Sequence, residues 1–446
     1  MALNVIIVGA GIAGLSAAIS LRRAGHRVQV YERSGLDNEV GAAINVPPNA
    51  ARVLLAWGLD PVAARFVQAQ GILAAAGATL AQLDLTPLGD WVAAVYGAPL
   101  FFAHRVDLHE ALEALAAGRD GPGEPAVVHL ESHVVAYNPE APSITLADGT
   151  TVAGDVVVAA DGIHSIGAEV VLGRPNPAQP QALYNGCFRF LVTAAALDAD
   201  ADTRLWNDGG CRNGRMSIYM NGAKGNRLVS YPCRDHEVWN FVGIFHDDEL
   251  AWATEEDWHA PVDKSHLLAA FPDFHPSLRA VLNKATDVKR WPLLYRAPVA
   301  SWTRGKMVMI GDAAHPMLPH QGQGGAQGIE DGIALGIALC GATPGDLQQR
   351  LGVFEAARLH RASAIQVMSN AGGEQVGLIH GEVAKYVNDV PKTPLEFARF
   401  NWGHDLVRRT VELAREVDPG FQLPAGFFQT SPHLPEPGNL ASGGHL

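Results

Sequence analysis

In the first 33 residues the spacing of hydrophobic positions changes from strand-like to helical and back to strand-like. Residues 4–8 are apolar and β-branched after Asn4, residues 12–24 carry apolar side chains at helical spacing, and residues 27–31 form a second strand-like run. Short apolar runs bounded by glycine are typical of buried strands, and the spacing between them is typical of a helix. We therefore predict a strand, a glycine turn, a helix and a second strand, in this order.

The same reading predicts further elements along the chain. Helical spacing is found at residues 48–59, 104–117 and 346–417. Strand patterns are found at residues 126–130 and 143–152, which form a hairpin-like pair around Asp148-Gly149, and at 155–160 and 307–310. From residue 181 to 299 apolar and polar residues alternate, as in an antiparallel sheet.

This order of α/β, then β, then α/β character predicts an α/β fold in which a sheet domain is inserted into a discontinuous nucleotide-binding domain. The predicted boundaries are residues 1–75, 101–178 and 300–360 for the nucleotide-binding domain, 76–100 and 179–299 for the sheet domain, 361–418 for C-terminal helices, and 419–446 for a flexible tail rich in Pro, Gly and Ser.

Composition and charge argue against several classes of function. The 446 residues carry a net charge of −13, which argues against a nucleic-acid partner or binding to an anionic membrane surface. No apolar run approaches the roughly 20 residues that a membrane span needs. The four cysteines and 18 histidines show no metal-ligand spacing, so no metal site is expected. A cytoplasmic protein is the expectation.

The turn Gly9-Ala10-Gly11-Ile12-Ala13-Gly14 lies between the first strand and the helix. Gly9 allows the tight turn, Gly11 lets the backbone approach a pyrophosphate, and Gly14 lets helix and strand pack closely. Glu32 ends the second strand and can accept hydrogen bonds from both hydroxyls of an adenosine ribose. A ribose without a 2′-phosphate indicates FAD or NAD. The alternative is a glycine turn that binds nothing.

Two later segments also bring an acid and a glycine to the end of a predicted strand. Asp161-Gly162 follows residues 155–160, and Gly311-Asp312 follows residues 307–310. Ligands of open α/β sheets bind at the carboxyl ends of the strands. A carboxylate, a glycine-rich loop and a helix N-terminus suit a polyhydroxylated ligand, although Asp312 taken alone fits a helix N-cap better.

These three segments resemble the fingerprints of the class A flavoprotein monooxygenases, which are the aromatic hydroxylases of the para-hydroxybenzoate hydroxylase fold. The sequence is most similar to the salicylate hydroxylase-like group, which includes fungal enzymes. The resemblance covers residues 3–415, and the segment HRVDLHEAL at residues 104–112 matches a further family motif. It implies a Rossmann-like FAD-binding domain, an inserted antiparallel β-sheet substrate domain, non-covalent FAD, and NADH or NADPH as a transient co-substrate.

The resemblance also implies contacts to FAD. Asp312 would bind the ribityl chain, and the loop of residues 319–325 would surround the isoalloxazine ring, with the next helix N-terminus near N1 and C2=O. Arg105 and Ala43 match further FAD-contacting positions. With the glycine turn, the predicted FAD-binding residues are Gly9, Gly11, Ile12, Ala13, Gly14, Glu32, Arg33, Ala43, Arg105, Asp161, Asp312, Gly322, Gly324 and Gly325.

One position departs from the family pattern. The second fingerprint usually ends in arginine, DGxxSxxR, whereas this chain has Ala168 there. The family associates this fingerprint with the pyridine nucleotide as well as with FAD. The departure therefore concerns how NAD(P)H docks rather than the FAD fold.

On the substrate side, the resemblance places His320 beside the substrate, where a histidine can accept a phenolic proton near neutral pH. Arg189 and Tyr219 match an arginine–tyrosine pair that holds a phenolate, and Tyr231 and Pro319 match positions lining the cavity. Arg189 equally fits a surface ion pair, and Tyr219 equally fits a core. Tyr231 fits a core better than a catalytic role, and a histidine exposed at a loop tip is the alternative for His320. Other arginines of the sheet also remain candidates for binding a substrate carboxylate, namely Arg212, Arg215, Arg227 and Arg234.

The resemblance thus implies an FAD-dependent NAD(P)H monooxygenase that transfers oxygen from O₂ to a small phenolic or aromatic-acid substrate through a flavin C4a-hydroperoxide, with decarboxylation or dearomatisation as variants. Alternatives are a flavin-dependent epoxidase of a secondary metabolite, a flavoprotein oxidase or reductase on the same fold, and a sensor that keeps FAD for structure. The expected state is a monomer or homodimer.

Overall fold

The computed structural model describes residues 2–35, 42–180, 184–208, 213–221, 225–246, 262–371 and 376–435. The strands are β1 (Asn4–Val8), β2 (Arg27–Tyr31), β3 (Ala43–Val46), β4 (Val67–Gln68), β5 (Gly71–Ala76), β6 (Gln82–Pro87), β7 (Phe101–His104), β8 (Val127–His129), β9 (Val134–Asn138), β10 (Ser143–Leu146), β11 (Thr151–Ala153), β12 (Val156–Ala159), β13 (Gln179–Pro180), β14 (Gly186–Thr193), β15 (Arg215–Met220), β16 (Arg227–Cys233), β17 (Val238–Phe245), β18 (Lys289–Pro292), β19 (Leu294–Tyr295), β20 (Thr303–Arg304) and β21 (Met307–Met309).

The α-helices are α1 (Ile12–Arg23), α2 (Pro48–Ala56), α3 (Asp90–Tyr96), α4 (Arg105–Ala117), α5 (Ile166–Leu172), α6 (Ala194–Asp198), α7 (Ala201–Asp208), α8 (Lys264–Ala270), α9 (Pro276–Asn283), α10 (Gly324–Leu339), α11 (Leu347–Met368), α12 (Val376–Val383), α13 (Pro394–Trp402) and α14 (Leu406–Val417). None of these helices is long and apolar enough to cross a membrane.

A six-stranded sheet forms the centre of the part of the chain that is predicted to bind a nucleotide, with strand order β20-β21-β12-β1-β2-β8. β1 pairs in parallel with both β2 and β12, β12 pairs in parallel with β21, and β20 adds an antiparallel edge. The predicted strand–helix–strand unit is confirmed as β1, α1 and β2. In the middle of the sheet, β12 and all of β1 except Asn4 are buried on both faces, which explains their nearly continuous apolar sequence.

A seven-stranded sheet with the order β18-β14-β17-β16-β15-β5-β6 is built mainly from the inserted segment. Its first four pairings are antiparallel, as the alternating pattern predicts, but β15 pairs in parallel with β5. β5 begins at Gly71, so the predicted domain boundary at residue 75 falls inside a strand of this sheet. The sequence analysis also missed α8 and α9, short helices whose apolar residues, such as Leu267 and Leu278, join the core behind the sheet.

The predicted pairing of residues 126–130 with residues 143–152 is wrong. β8 pairs in parallel with β2 at the edge of the large sheet, and β10 pairs instead with β9, which the sequence analysis overlooked. Asp148-Gly149 does turn the chain between β10 and β11. Proximity in sequence favoured a local hairpin between those two segments, although β9, with the sequence VVAYN, carries a strand signal of its own.

The C-terminal region is helical from α11 to α14, as predicted. The predicted flexible tail is wrong for residues 421–429, because Phe421 and Phe427 are buried at 4% and 1% exposure. The Gln429 N–H donates to the Ala56 carbonyl at 2.7 Å, and the Arg23 guanidinium donates to the Phe427 carbonyl at 3.0 Å. Residues 436–446 lie outside the described part of the chain.

Candidate active site

Three parallel strand ends bring the acid- and glycine-bearing segments to one edge of the six-stranded sheet. Val8 pairs with Ala159, and Ala159 pairs with Met309, so the chain leaves β1, β12 and β21 at the same level. The glycine turn, Asp161 and Asp312 follow directly. The structure therefore brings together the three segments that the sequence analysis selected.

The three glycines of the first turn meet different surroundings. Gly9 has a φ of +102°, and a Cβ there would lie 2.3 Å from the Ala160 carbonyl oxygen. A Cβ on Gly14 would lie 2.0 Å from the Gly9 carbonyl oxygen, whereas a Cβ on Gly11 would meet nothing within 4 Å. Gly9 and Gly14 are thus required by the fold itself, and Gly11 leaves an open space at the N-terminus of α1.

Glu32 is oriented toward the same turn. The Ala10 N–H donates to Glu32 Oε2 at 2.9 Å, and the Ser34 N–H and hydroxyl both donate to Oε1 at 2.9 Å. A carboxylate has about four acceptor positions. The three bonds fix its direction and leave acceptor capacity for a ligand hydroxyl.

Asp161 is engaged mainly within the protein. Its carboxylate accepts hydrogen bonds from the Ser165 hydroxyl, from the Tyr137 hydroxyl at 2.8 Å and from the Gly167 N–H at 3.2 Å. Burial, together with the adjacent Asp161 charge, raises the pKa of Tyr137 well above its usual value. This geometry gives Asp161 a role in shaping the strand end, next to which a ligand would lie.

The third segment turns sharply after β21. Gly311–Ala313 forms a short 3₁₀ turn in which Gly311 has a φ of +60° and Asp312 is exposed. A second 3₁₀ turn, Pro319–Gln321, ends at Gly322, which also has a φ of +60°. A Cβ on Gly322 would lie 2.8 Å from the Asn45 side-chain nitrogen. Helix α10 then starts at Gly324 with no acidic residue in its first turn.

The helices that start at the first and third segments pack against each other through small residues. A Cβ on Gly328 would lie 3.0 Å from the Ala13 Cβ, and one on Gly332 would lie 2.5 Å from the Ala17 nitrogen. One on Gly336 would lie 1.9 Å from the Ser20 hydroxyl. Because α1 and α10 approach this closely, their N-termini lie side by side at the same sheet edge, where both present unpaired N–H groups.

Strand β3 and the start of α4 complete this edge. Ala43 pairs with His104, and the Arg105 N–H donates to the Ala42 carbonyl at 2.8 Å, so the predicted contacts Ala43 and Arg105 are neighbours. The Tyr231 hydroxyl donates to the Ala43 carbonyl, and the Ala43 N–H donates to Asn240 Oδ1, both at 3.1 Å. The seven-stranded sheet is thereby attached to β3.

One face of the seven-stranded sheet, called the near face below, is turned toward the loop that precedes α10. Cys187, Val242 and Ile244 on this face pack against Leu318 of the loop. Arg189 pairs directly with Val242 and belongs to the same face. Its guanidinium carbon lies 4.8 Å from the centre of the Trp291 ring. Among the described residues, Arg189 Nε has no hydrogen-bond partner.

The predicted pair of Arg189 and Tyr219 is wrong, because the two side chains lie on opposite faces of the sheet. Tyr219 pairs with Leu228 and is buried at 3% exposure in the core on the far face. Tyr231, two strands from Arg189, lies on the near face instead. Burial raises the pKa of Tyr231, and the Arg189 charge opposes that shift.

The structure also separates the other candidate arginines. Arg234 binds Asp107 with two nitrogens, the shortest contact being 2.7 Å. Arg215 follows the parity of Tyr219 along β15 and faces away from the loop. Arg227 lies on the near face, with its guanidinium carbon 4.4 Å from the centre of the Tyr184 ring. Arg212 lies outside the described residues.

His320 sits in the second 3₁₀ turn, directly after Pro319, at the near face of the sheet. Its ring centre lies 5.9 Å from that of Tyr184, at an angle of 55°. The Tyr184 ring thus contacts both Arg227 and His320, a relation that was not predicted from the sequence. The signal was weak, because a single tyrosine before a strand indicates only a core position.

A second set of residues that the sequence analysis missed lies behind the loop. Glu330 and Asp331 on α10 are buried at 1% and 0% exposure and pair with Arg358 and Arg361 on α11. From the sequence alone, two adjacent acids and two arginines at helical spacing predict solvent-exposed helix faces. Their burial as a compensated group became visible only with the packing of α10 on α11.

The residues at the sheet edge fit FAD as the ligand. The open space beside Gly11, the oriented Glu32 and two adjacent helix N-termini suit a pyrophosphate and a ribose. The exposed Asp312 and the glycine-rich start of α10 suit a ribityl chain and an electron-rich ring. Ile12 also lies here, with its Cδ1 3.7 Å from the position of a Cβ on Gly325, whereas the exposed Arg33 follows Glu32.

Comparisons with known proteins agree with this geometry. The FAD binding domain family matches residues 2–369. The FAD-dependent monooxygenase cfoG of Aspergillus candidus is 44% identical over 424 residues, which cover 94% of this chain and 97% of that protein. Hispidin-3-hydroxylase of Neonothopanus nambi is 34% identical over 380 residues, with 82% and 87% covered. The substrate complex of salicylate hydroxylase has a TM-score of 0.71 at 23% identity, covers 93% of this chain and 98% of that chain, and thus shares the fold.

The chain therefore belongs to the FAD binding domain family. Within that family it is a class A flavoprotein aromatic hydroxylase, an FAD-dependent monooxygenase.

Proposed function

We propose that this protein uses NADH or NADPH and O₂ to hydroxylate a small phenolic or aromatic-acid substrate, which binds between the near face of the seven-stranded sheet and residues 318–325. The observation that carries the proposal is Arg189, a permanent cation on a largely apolar face opposite Leu318 and His320. A guanidinium at such a place suits a phenolate or carboxylate oxygen. The similarity to a hispidin hydroxylase supports an aromatic substrate.

The FAD contacts are part of the same proposal. Glu32 would bind the ribose, the N–H groups at Gly11 and Ile12 the pyrophosphate, and Asp312 the ribityl chain. Gly322, Gly324 and Gly325 would face the flavin ring, with the N-terminus of α10 stabilising negative charge on it. When bound, FAD supplies the redox chemistry, as acceptor of hydride from NAD(P)H and as the group that activates O₂.

The protein's own residues would prepare the substrate for that chemistry. Arg189 would hold the phenolate oxygen, which makes the ring more electron-rich. His320 would accept the proton from that hydroxyl group. Val242, Ile244 and Leu318 would keep water from the reacting ring.

The test is NAD(P)H oxidation by the FAD-loaded protein against a panel of phenols and aromatic acids, under ¹⁸O₂. We expect at least one aromatic compound to accelerate NAD(P)H oxidation and to acquire one ¹⁸O atom. Acceleration with a product that lacks ¹⁸O would favour the oxidase or reductase alternative. An epoxide product would favour the epoxidase, and FAD that no aromatic compound helps to reduce would favour a sensor.

A further inference from the structure

One buried carboxylate oxygen forms hydrogen bonds to both ends of the turn that carries Asp312. Asp331 Oδ2 accepts the Gly311 N–H at 2.8 Å and binds His315 Nε2 at 2.6 Å. Gly311 and His315 are the first and last residues of the segment 311–315, and Asp312 lies between them on the exposed side. His315 and Asp331 are buried at 1% and 0% exposure.

The position of this carboxylate is itself fixed by a buried ionic group. Arg358 Nε donates to Asp331 Oδ1 at 2.8 Å, and Arg358 Nη1 donates to Glu330 Oε2 at 2.5 Å. Arg361 donates to both Glu330 oxygens, at 2.8 and 2.9 Å. Burial would raise the pKa of Asp331, but His315 and Arg358 outweigh it and hold that pKa below its usual value.

The ionic group also connects the turn to the rest of the scaffold. Arg361 donates to the Phe400 and Asn401 carbonyls at 2.8 Å each, which brings in α13. Asn49 of α2 donates to Glu330 at 2.7 Å and to Gln323, the N-cap of α10, at 3.1 Å. Two carboxylates and two guanidiniums balance in charge, so the group is stable only as a whole.

We propose that Asp331 is a positioning residue of the FAD site, which holds the turn 311–315 so that Asp312 meets the ribityl chain of the cofactor. The proposal rests on the role given to Asp312 under the proposed function. Asp331 itself touches no ligand, because its side chain is fully buried, at 0% exposure, behind the turn. Its effect on FAD binding must therefore pass through Asp312.

The test is a double-mutant cycle on FAD affinity, measured by flavin fluorescence titration of the apoprotein. We expect Asp331→Asn and Asp312→Asn each to raise the FAD Kd by about 10-fold, which is the effect of one lost charge-assisted hydrogen bond. The double variant should also be weakened by about 10-fold rather than about 100-fold, because the two changes remove the same contact. Additive effects, or an unchanged Kd in Asp331→Asn, would overturn the proposal.

Two further variants separate positioning from general loss of stability. Leu278→Ala removes packing from the core behind the seven-stranded sheet, outside the turn and its ionic group, so it should lower the thermal stability of the apoprotein but leave the FAD Kd within about two-fold. His315→Phe keeps a ring next to Trp302, whose ring centre lies 5.0 Å away, and removes only one of the two bonds to the turn. It should weaken FAD binding, and it replaces Asp331→Asn in the cycle if that variant does not fold.

The same experiments keep this inference apart from the proposed function. Wild-type protein that binds FAD but hydroxylates no aromatic compound would contradict only the proposed function. Wild-type protein that hydroxylates an aromatic compound, together with an Asp331→Asn variant of unchanged FAD affinity, would contradict only the role of Asp331.

Discussion

The Tyr231 hydroxyl donates a hydrogen bond of 3.1 Å to the carbonyl of Ala43. Asn240, which pairs with Tyr231 across β16 and β17, accepts the Ala43 N–H at the same distance. Ala43 is one of the predicted FAD contacts, so the sheet that would bind the substrate is attached by two bonds to a strand at the cofactor edge. Under the proposed function, the alignment of substrate and flavin would depend on these polar contacts between the seven-stranded sheet and β3.

The first prediction concerns the glycine turn. Gly11→Ala places a methyl group in open space, so the apoprotein should unfold at the wild-type temperature, while the FAD Kd rises by at least about 10-fold because that space belongs to the pyrophosphate. Gly14→Ala is the matched control. Its Cβ would lie 2.0 Å from the Gly9 carbonyl oxygen and should destabilise the apoprotein itself. Gly11→Ala protein that binds FAD normally would contradict the assignment.

The second prediction tests the contact between α1 and α10. Gly332→Ala should lower the free energy of unfolding by about 1–3 kcal/mol, because its Cβ would lie 2.5 Å from the Ala17 nitrogen and force the helices apart. The exposed Gly352, inside α11, has nothing within 4 Å of an added Cβ. Gly352→Ala should therefore raise stability by up to about 1 kcal/mol. Urea unfolding of both variants measures the difference, and equal effects would show that the close approach is not required.

The third prediction tests the two faces of the sheet. Arg189→Lys should raise KM for the aromatic substrate by about 10-fold or more with FAD affinity unchanged, since an ammonium cannot donate two parallel bonds to a carboxylate or reach a phenolate from the same place. Tyr219→Phe should leave KM unchanged, because Tyr219 lies in the core behind the sheet. A higher KM in both variants would support the arginine–tyrosine pair predicted from sequence.

The fourth prediction concerns the proton on the substrate. His320→Asn should slow hydroxylation most below the phenol's own pKa, about 10, and the loss should shrink as the pH approaches that value, because the substrate then ionises without help. FAD binding should not change. The measurement is the pH profile of kcat/KM for both proteins with one phenolic substrate. A deficit that is constant over the whole profile would rule out proton acceptance by His320.

Sequence reasoning succeeded where one short segment carries the whole signal. The strand–helix–strand unit around Gly9 and Gly14 is local in sequence. Both glycines are required because the backbone approaches them too closely for a Cβ. The same holds for Gly311-Asp312, which needs only a strand end and a turn. These features follow from the order of residues without knowledge of the partners.

Reasoning from sequence failed where side chains meet across the fold. The face that Tyr219 occupies depends on the register of β15, and a shift by one residue exchanges the two faces. The burial of Glu330 and Asp331 depends on Arg358 and Arg361, which come from another helix. These side-chain contacts are determined by how the elements pack, so neither composition nor periodicity predicts them.

The last prediction follows from His404, which is kept neutral in the folded protein. Burial, reinforced by the Arg361 charge, lowers the pKa of His404 from 6.5 to about 3. Between these values the unfolded chain binds a proton that the folded protein does not, so stability falls as the pH decreases from about 6.5. One such group contributes a slope of up to about 1.4 kcal/mol per pH unit. His104, whose pKa burial lowers to about 4, adds a second contribution of the same sign.

His404→Gln should reduce the slope of the unfolding free energy between pH 6 and pH 5 by about 1 kcal/mol per pH unit. The carboxylates with lowered pKa, Asp331 among them, take up protons only below this range, so they do not affect the comparison. Urea unfolding of wild-type and variant protein at pH 6 and pH 5 gives both slopes, and equal slopes would mean that His404 carries its proton in the folded state.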